Sequence, residues 1–322
     1  MEPLLLASFL VAFYIAWSIG ANDETMATLA GSGMVSVALA ALIGAIMDFL
    51  GAVFMGYMVE ETIGRGLIVR EVGIADTFII LLAVATWLVV ASYRGWPIST
   101  THSTVGAAIG LGIYKYGFTG VQWSSLLKVI ASWILSPLTG LLGAIAVYYV
   151  SRKVYLRKIR GLKSLLKVSK YSTLLLAVWT SYTAFFRGAN DIANATGFLS
   201  YVSGSPLLTR LICGAGLALG LLILGRRVIK SVGVQLVELD PFTALCAQVS
   251  VAVTMCVGTL LALPLSGTHV LVSAVLGIGV AKKTWINIRG VEEIVATWVL
   301  TFPCSALLSA LLTALAEQIG LL

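Results

Sequence analysis

Charge is what this chain has least of. Asp, Glu, Lys and Arg make up 11% of its 322 residues, against roughly 25% in soluble domains, while 59% are hydrophobic and the mean hydropathy is +1.00. That balance excludes a water-soluble globular fold and leaves an all-α polytopic membrane protein. Histidine is scarcer still: His102 and His269 are the only two, and they stand 167 residues apart. No His-Glu-x-x-His or comparable ligand helix occurs and no nucleophile sits beside a base, so an intramembrane metallohydrolase is set aside and no enzyme activity or cofactor is expected. The four cysteines, Cys213, Cys246, Cys256 and Cys304, lie inside apolar stretches without metal-ligand spacing and read as small buried hydrophobes. Basic residues are confined rather than rare. Of the net charge of +7, eight positive charges fall within residues 151–170, which contain no acid; without them the balance is −1. The run lacks interleaved aromatics, which excludes a nucleic-acid partner and leaves a linker that the positive-inside rule puts in the cytoplasm.

What is abundant is apolar sequence, in ten stretches near residues 4–20, 35–58, 77–93, 99–113, 124–150, 171–186, 206–224, 242–263, 268–281 and 294–316. Several reach the roughly 20 residues needed to cross a bilayer. Those opening at Ser99 and Thr268 are shorter, begin with Pro, Ser and Thr, and predict re-entrant or broken segments, which lipid permits only where protein or a watery cavity covers the backbone. The first stretch is expected to remain as a span, because Glu2 stands where a cleavable signal would carry positive charge.

Two polar strings interrupt this pattern, each twice. Gly20-Ala21-Asn22-Asp23 recurs 168 residues later as Gly188-Ala189-Asn190-Asp191, and Pro97-Ile-Ser99-Thr100-Thr101-His102 recurs 167 residues later as Pro264-Leu-Ser266-Gly267-Thr268-His269. A shared offset means internal duplication. Five segments per half is odd, so the halves are expected to lie in opposite orientation, residues 1–150 and 171–322 forming two inverted repeats around the basic linker, with both termini outside the cell. The string Gly56–Gly64 parallels Gly225–Gly233, but Glu60 and Glu61 give way to Arg226, Arg227 and Lys230, as equivalent loops on opposite sides would require.

The chemistry follows from residue type. Gly, Asn and Asp favour unwinding a membrane helix, and a broken helix frees carbonyls for a cation and N–H groups for an anion. Asn22, Asp23, Asn190, Asp191 and Asn194 offer only oxygen ligands, which suit a hard cation such as Na⁺. Asp48 is one more acid deep in a span, a candidate for cation or proton coupling. Gln248 is either site or helix-to-helix glue. The Pro-Ser-Thr strings are helix N-terminus signatures, and seven hydroxyls (Ser99, Thr100, Thr101, Ser103, Thr104, Ser266, Thr268) are available to a tetrahedral anion, with no arginine expected there to hold it irreversibly. His102 and His269 are expected to be packed, with a proton relay as the minority role.

These strings resemble the inorganic phosphate transporter (PiT) family of cation-coupled symporters. Gly188–Gly197 matches its Gly-Ala-Asn-Asp-x-Ala-Asn-x-x-Gly signature in full, and Pro97–His102 its Pro-Val-Ser-Thr-Thr-His string. The resemblance implies a homodimer in the lipid bilayer that imports inorganic phosphate with Na⁺ (favoured) or H⁺, binding the anion at Ser99, Thr100, Thr101, Ser266, Gly267, Thr268, Asp23 and Asp191. A sulfate permease of the same fold and an ion channel are the alternatives. Three positions depart from the family. Gly267 replaces a Thr, Gln248 stands where many relatives carry Glu, and the first string reads Asp23-Glu24-Thr25-Met26. A two-residue deletion would put Glu24 at the second Asn position, adding a carboxylate to the coupling site; the other reading gives that position to Met26.

Overall fold

The structure, a computed structural model, describes residues 3–33, 35–94, 98–155, 161–229, 239–284, 286 and 288–321. Fourteen α-helices carry the argument: α1 (Pro3–Ala21), α2 (Ala27–Gly31), α3 (Val37–Met55), α4 (Tyr57–Gly64), α5 (Ile74–Arg94), α6 (Thr100–Tyr116), α7 (Trp123–Tyr155), α8 (Leu162–Asp191), α9 (Ala193–Thr196), α10 (Leu199–Val202), α11 (Pro206–Gly220), α12 (Pro241–Leu260), α13 (Gly267–Lys282) and α14 (Ile288–Gln318). Among the described residues the only β pairing is a single bridge between Ile68 and Val121. Every expected apolar stretch is helical. Among the described residues seven helices are long and apolar enough to cross a membrane: α1, α3, α7, α12, most of α5 and α14, and α11 with its continuation to Ile229. As the Ser-Thr openings predict, α6 and α13 are shorter, at 17 and 16 residues.

The distribution of polarity is the reverse of what water selects. Ile134 and Leu307 are 65% and 62% exposed, while Asp48 is fully buried and Arg187 is 5% exposed. Only an apolar solvent makes that arrangement favourable, since buried charge otherwise costs several kcal/mol (~3 or more) unless paired.

Helices pair across the two halves. α1 packs on α11 and α3 on α8; α6 packs on α14 and α13 on α7. With lipid outside, apolar burial does little to hold helices together, so close backbone approach matters. A Cβ at Gly20 would strike the Leu217 carbonyl, and one at Gly188 would strike the Asp48 backbone. The same two glycines that open the polar strings therefore set the spacing of the helices that carry them.

The described parts of the basic stretch 151–170 are helical: α7 continues to Tyr155 and α8 begins at Leu162, as Lys, Arg and Leu are good helix formers. Residues 156–160, with Arg157, Lys158 and Arg160, lie outside the described residues, as do Pro97 and Lys230. One sequence expectation is corrected: Glu60 and Glu61, read as lying in a loop, are both on α4, and of the two only Glu61 is exposed. Glu60 is 3% exposed, pairs with Arg210 at 2.8 Å and accepts from Thr196 and Ser200, a contact spanning 150 residues that no local pattern announces.

Gly188→Leu should force α8 away from α3 at a cost of about 1–3 kcal/mol or more. In size-exclusion chromatography with thermal challenge in detergent, it is expected to lose most of its monodisperse peak while the lipid-facing Leu307→Ala keeps it; equal behaviour of the two would contradict the close-approach account.

Candidate functional site

α1 stops at Ala21 because Asn22 and Asp23 take over its terminal hydrogen bonding. The Asn22 amide donates back to the Ser18 carbonyl at 3.0 Å, and the Asp23 carboxylate accepts the Thr25 N–H at 2.6 Å, so the chain turns through residues 22–26 before α2 begins. α8 ends at Asp191, and α9 resumes after Ile192. The second interruption is slighter than the first.

These two interruptions meet around a residue the sequence reading did not single out. The Arg187 guanidinium, one turn before Asp191 on α8, is buried among three carboxylates. Its Nη1 lies 2.9 Å from Asp23 and 3.2 Å from Glu24, and its Nε lies 3.1 Å from Asp191. Nη1 also donates to the Thr25 hydroxyl at 2.8 Å, and Nη2 to Thr268 at 3.4 Å. The expectation of a site free of arginine is thus corrected. The physical reason is charge: three carboxylates at membrane depth need a counterion, and Arg187 supplies a fixed one. Its position directly before Gly188 was the available signal, obscured by reading the motif from its glycine onward.

The departures in the first string now have addresses. Glu24 faces the cluster, while Met26 is fully buried in a hydrophobic cluster with Leu29, Ala41 and Leu221, so Glu24 and not Met26 belongs to the site. Gln248 acts as glue: it donates to the Thr25 carbonyl (3.1 Å) and Thr28 hydroxyl (2.8 Å) and accepts from Thr183 (3.1 Å). Asp48 is fully buried, its carboxyl lies against that of Asp23 and within electrostatic reach of Asp191 and Arg187, and among the described residues no N–H or hydroxyl donates to it.

The asparagines divide. Asn22 is exposed, outside the buried cluster. Asn190 is fully engaged, accepting the Leu265 N–H at 2.9 Å and donating to the Leu263 carbonyl (2.9 Å) and Thr259 (3.1 Å), so it pins the turn leading into α13. Asn194 donates to Thr101 at 3.2 Å, and its side-chain Oδ1 is buried without a donor.

Ser99 and Ser266 cap α6 and α13, both in extended conformation. Thr101 donates to the Leu265 carbonyl at 2.9 Å, tying the two helix entrances together. Two of the seven hydroxyls are spent elsewhere: Ser103 on Ser305 of α14, and Thr104 on the carbonyls of Thr100 and Asn194. The Thr100 and Ser266 hydroxyls have no protein acceptor among the described residues, and Thr268 only receives a bond from Arg187. The histidines pack, as expected. His102 stacks on Trp133 (3.7 Å between centroids) and lies 4.8 Å from His269, which stacks on Trp298 (3.4 Å), while His102 Nδ1 is 2.7 Å from Ser99 Oγ.

Oxyanion donors at two helix entrances, beside buried carboxylates, are what a carrier of an anion and a cation needs. The sequence profile of the phosphate transporter family matches residues 19–309. The chain belongs to that family. The transporter is 30% identical, over 99% of both chains, to a Thermococcus kodakarensis protein whose name includes the words phosphate permease, and 29% identical to an inorganic phosphate transporter of Arabidopsis thaliana chloroplasts, over 95% of this chain and 71% of that one. Among solved structures it resembles one described as the sodium-dependent phosphate transporter, with a TM-score of 0.88, 28% identity and coverage of 98% and 99% of the two chains. The relatives are transporters and permeases, not enzymes. Among the described residues no group of three or more His, Cys, Asp or Glu could hold a metal ion; the three carboxylates meet around a guanidinium instead.

Asn190→Ala deletes three hydrogen bonds at a buried turn and should cost about 2–3 kcal/mol. Thermal unfolding in detergent is expected to shift down by several degrees, against no measurable shift for Asn22→Ala; the reverse ranking would contradict the roles given to the two asparagines.

Proposed function

We propose that this transporter imports inorganic phosphate by symport with a cation, Na⁺ in preference to H⁺, through alternating access to a mid-membrane site. Two inverted repeats, residues 1–150 and 171–322, share the site, the 151–170 linker is cytoplasmic, both termini are outside, and the working unit is a homodimer. The observation that carries this reading is the junction at Arg187, where acids from both halves and a hydroxyl of the α13 entrance come together in a single buried cluster.

Phosphate is received by the hydroxyls of Thr100, Ser266 and Thr268 and by free N–H groups at the α6 and α13 entrances, with Ser99, Thr101 and Gly267 shaping the cradle. Near neutral pH phosphate carries a proton, which an ionised Asp23 or Asp191 accepts as a hydrogen bond; sulfate offers none, so the carboxylates favour phosphate. The coupling cation is received by oxygen, at Asp48 with the adjoining Asp23 and at the unpaired Asn194 Oδ1, with Asn22, Glu24, Asn190 and Gln248 holding the surrounding chain. Oxygen-only ligation suits Na⁺, and the sodium dependence of the structural neighbour supports that choice. Cross-half packing of α1 on α11 with α3 on α8 supports the inverted pairing.

The test is uptake of labelled phosphate into proteoliposomes under an imposed Na⁺ gradient or an imposed pH gradient, with arsenate and sulfate as competitors. Saturable uptake driven by Na⁺ and competed by arsenate is expected, with Ser266→Ala raising KM about tenfold, near 1.4 kcal/mol. Sulfate winning the competition would overturn the substrate, uptake driven by pH alone would overturn the cation, and non-saturating flux would leave a channel.

A further inference from the structure

Arg187 has no counterpart in the first half. At the offset of the Gly-Ala-Asn-Asp strings its equivalent is Ile19, a buried apolar residue. The arginine is therefore an addition to one half of a duplicated site. A second singular residue accompanies it. Where the first Ser-Thr string has Thr100, the second has Gly267, and a Cβ at Gly267 would lie 2.7 Å from Arg187 Nε and 2.9 Å from its Cδ. No side chain at 267 fits while Arg187 keeps this pose. Arginine and glycine, 80 residues apart, are fitted to one another.

All three guanidinium nitrogens are committed, to Asp191, Asp23, Glu24, Thr25 and Thr268. A monovalent cation held among carboxylate and hydroxyl oxygens is also what a transported Na⁺ is while bound, except that this one cannot leave. One acid beside the cluster has no cation of its own: Asp48, fully buried, lies against the Asp23 carboxylate and forms no ion pair among the described residues. The charges then divide in two. Asp23, Glu24 and Asp191 share a resident positive charge, and Asp48 awaits a mobile one.

We propose that Arg187 is a tethered cation of the coupling site, seated in the space opened by Gly267, so that the transporter carries one fewer mobile cation per phosphate than the same site would without it. This inference rests on the transport reading above and deepens it by fixing what sets the stoichiometry. The number of ions moved follows the net charge that must be compensated on burial. Neutralising a fixed positive charge invites a mobile one to replace it, whereas removing a matched pair of charges changes nothing in the count.

The experiment measures cations per phosphate from the reversal potential. Proteoliposomes with a set gradient of the driving cation are clamped with K⁺ and valinomycin, and the voltage at which net phosphate flux vanishes is found for wild type, Arg187→Lys, Arg187→Gln, and Arg187→Gln combined with Glu24→Gln. Reversal reports a ratio, so slow variants are still informative. The expected result is one additional cation per phosphate in Arg187→Gln and the wild-type number in both Arg187→Lys and the double variant. An unchanged ratio in Arg187→Gln, with or without a raised phosphate KM, overturns the proposal and makes Arg187 a structural residue or an anion ligand. Should Arg187→Gln fail to insert, Arg187→Gln combined with Gly267→Ser, which fills the space the guanidinium leaves, takes its place: an added cation supports the tethered cation, and the wild-type ratio overturns it. A wild type that moves no phosphate under any cation gradient is a different outcome, the failure of the transport reading itself.

Discussion

A guanidinium buried among three carboxylates is the interaction on which the rest of this molecule depends. Asp23 and Glu24 come from the break after α1 and Asp191 from the end of α8, so the ion cluster joins the two halves at the point where both helices are interrupted. At contact distance in a medium that screens poorly, like charges repel by several kcal/mol, about 4 even at an effective dielectric of 20. Arg187 places a positive charge among the three acids to offset that repulsion, and the ion pairs hold the broken segments in register. Gly20 and Gly188 let the backbones approach closely enough for that to happen.

The cluster also bears on how cargo is released. An arginine free to grip a tetrahedral anion bidentately would bind it tightly. Here the guanidinium is occupied by carboxylates and reaches the α13 entrance only through Thr268 at 3.4 Å. In the proposed reading the anion is left to hydroxyls and helix N-termini, donors that are individually weak. Asn190 and Thr101 keep those donors in place, the first by pinning the turn before α13 and the second by bonding to Leu265.

Much of this was legible in the sequence. The ten apolar stretches and the short α6 and α13 opening at serines followed from composition and spacing, because lipid imposes strong rules on length and polarity, and the family followed from the resemblance of the duplicated polar strings to its motifs. The break after α1 at Asn22 and Asp23 was also legible. What was not legible was long-range pairing. Arg187 with Asp23, Glu60 with Arg210, and Gln248 with the Thr25 carbonyl each join residues more than a hundred apart, and a charge pattern along the chain carries no record of which charges meet. Hydroxyl count misled for a related reason: Ser103 and Thr104 look like donors in the string, but helical geometry turns them toward α14 and Asn194.

The most direct test of the account is an experimental density map of the protein in lipid with arsenate, whose scattering marks the anion. The account predicts the Arg187 guanidinium between Asp23, Glu24 and Asp191, with the anion within hydrogen-bond distance of Thr268 and Ser266. Anion density away from the α13 entrance, or the two helix breaks separated by packed hydrocarbon with Arg187 paired elsewhere, would contradict it.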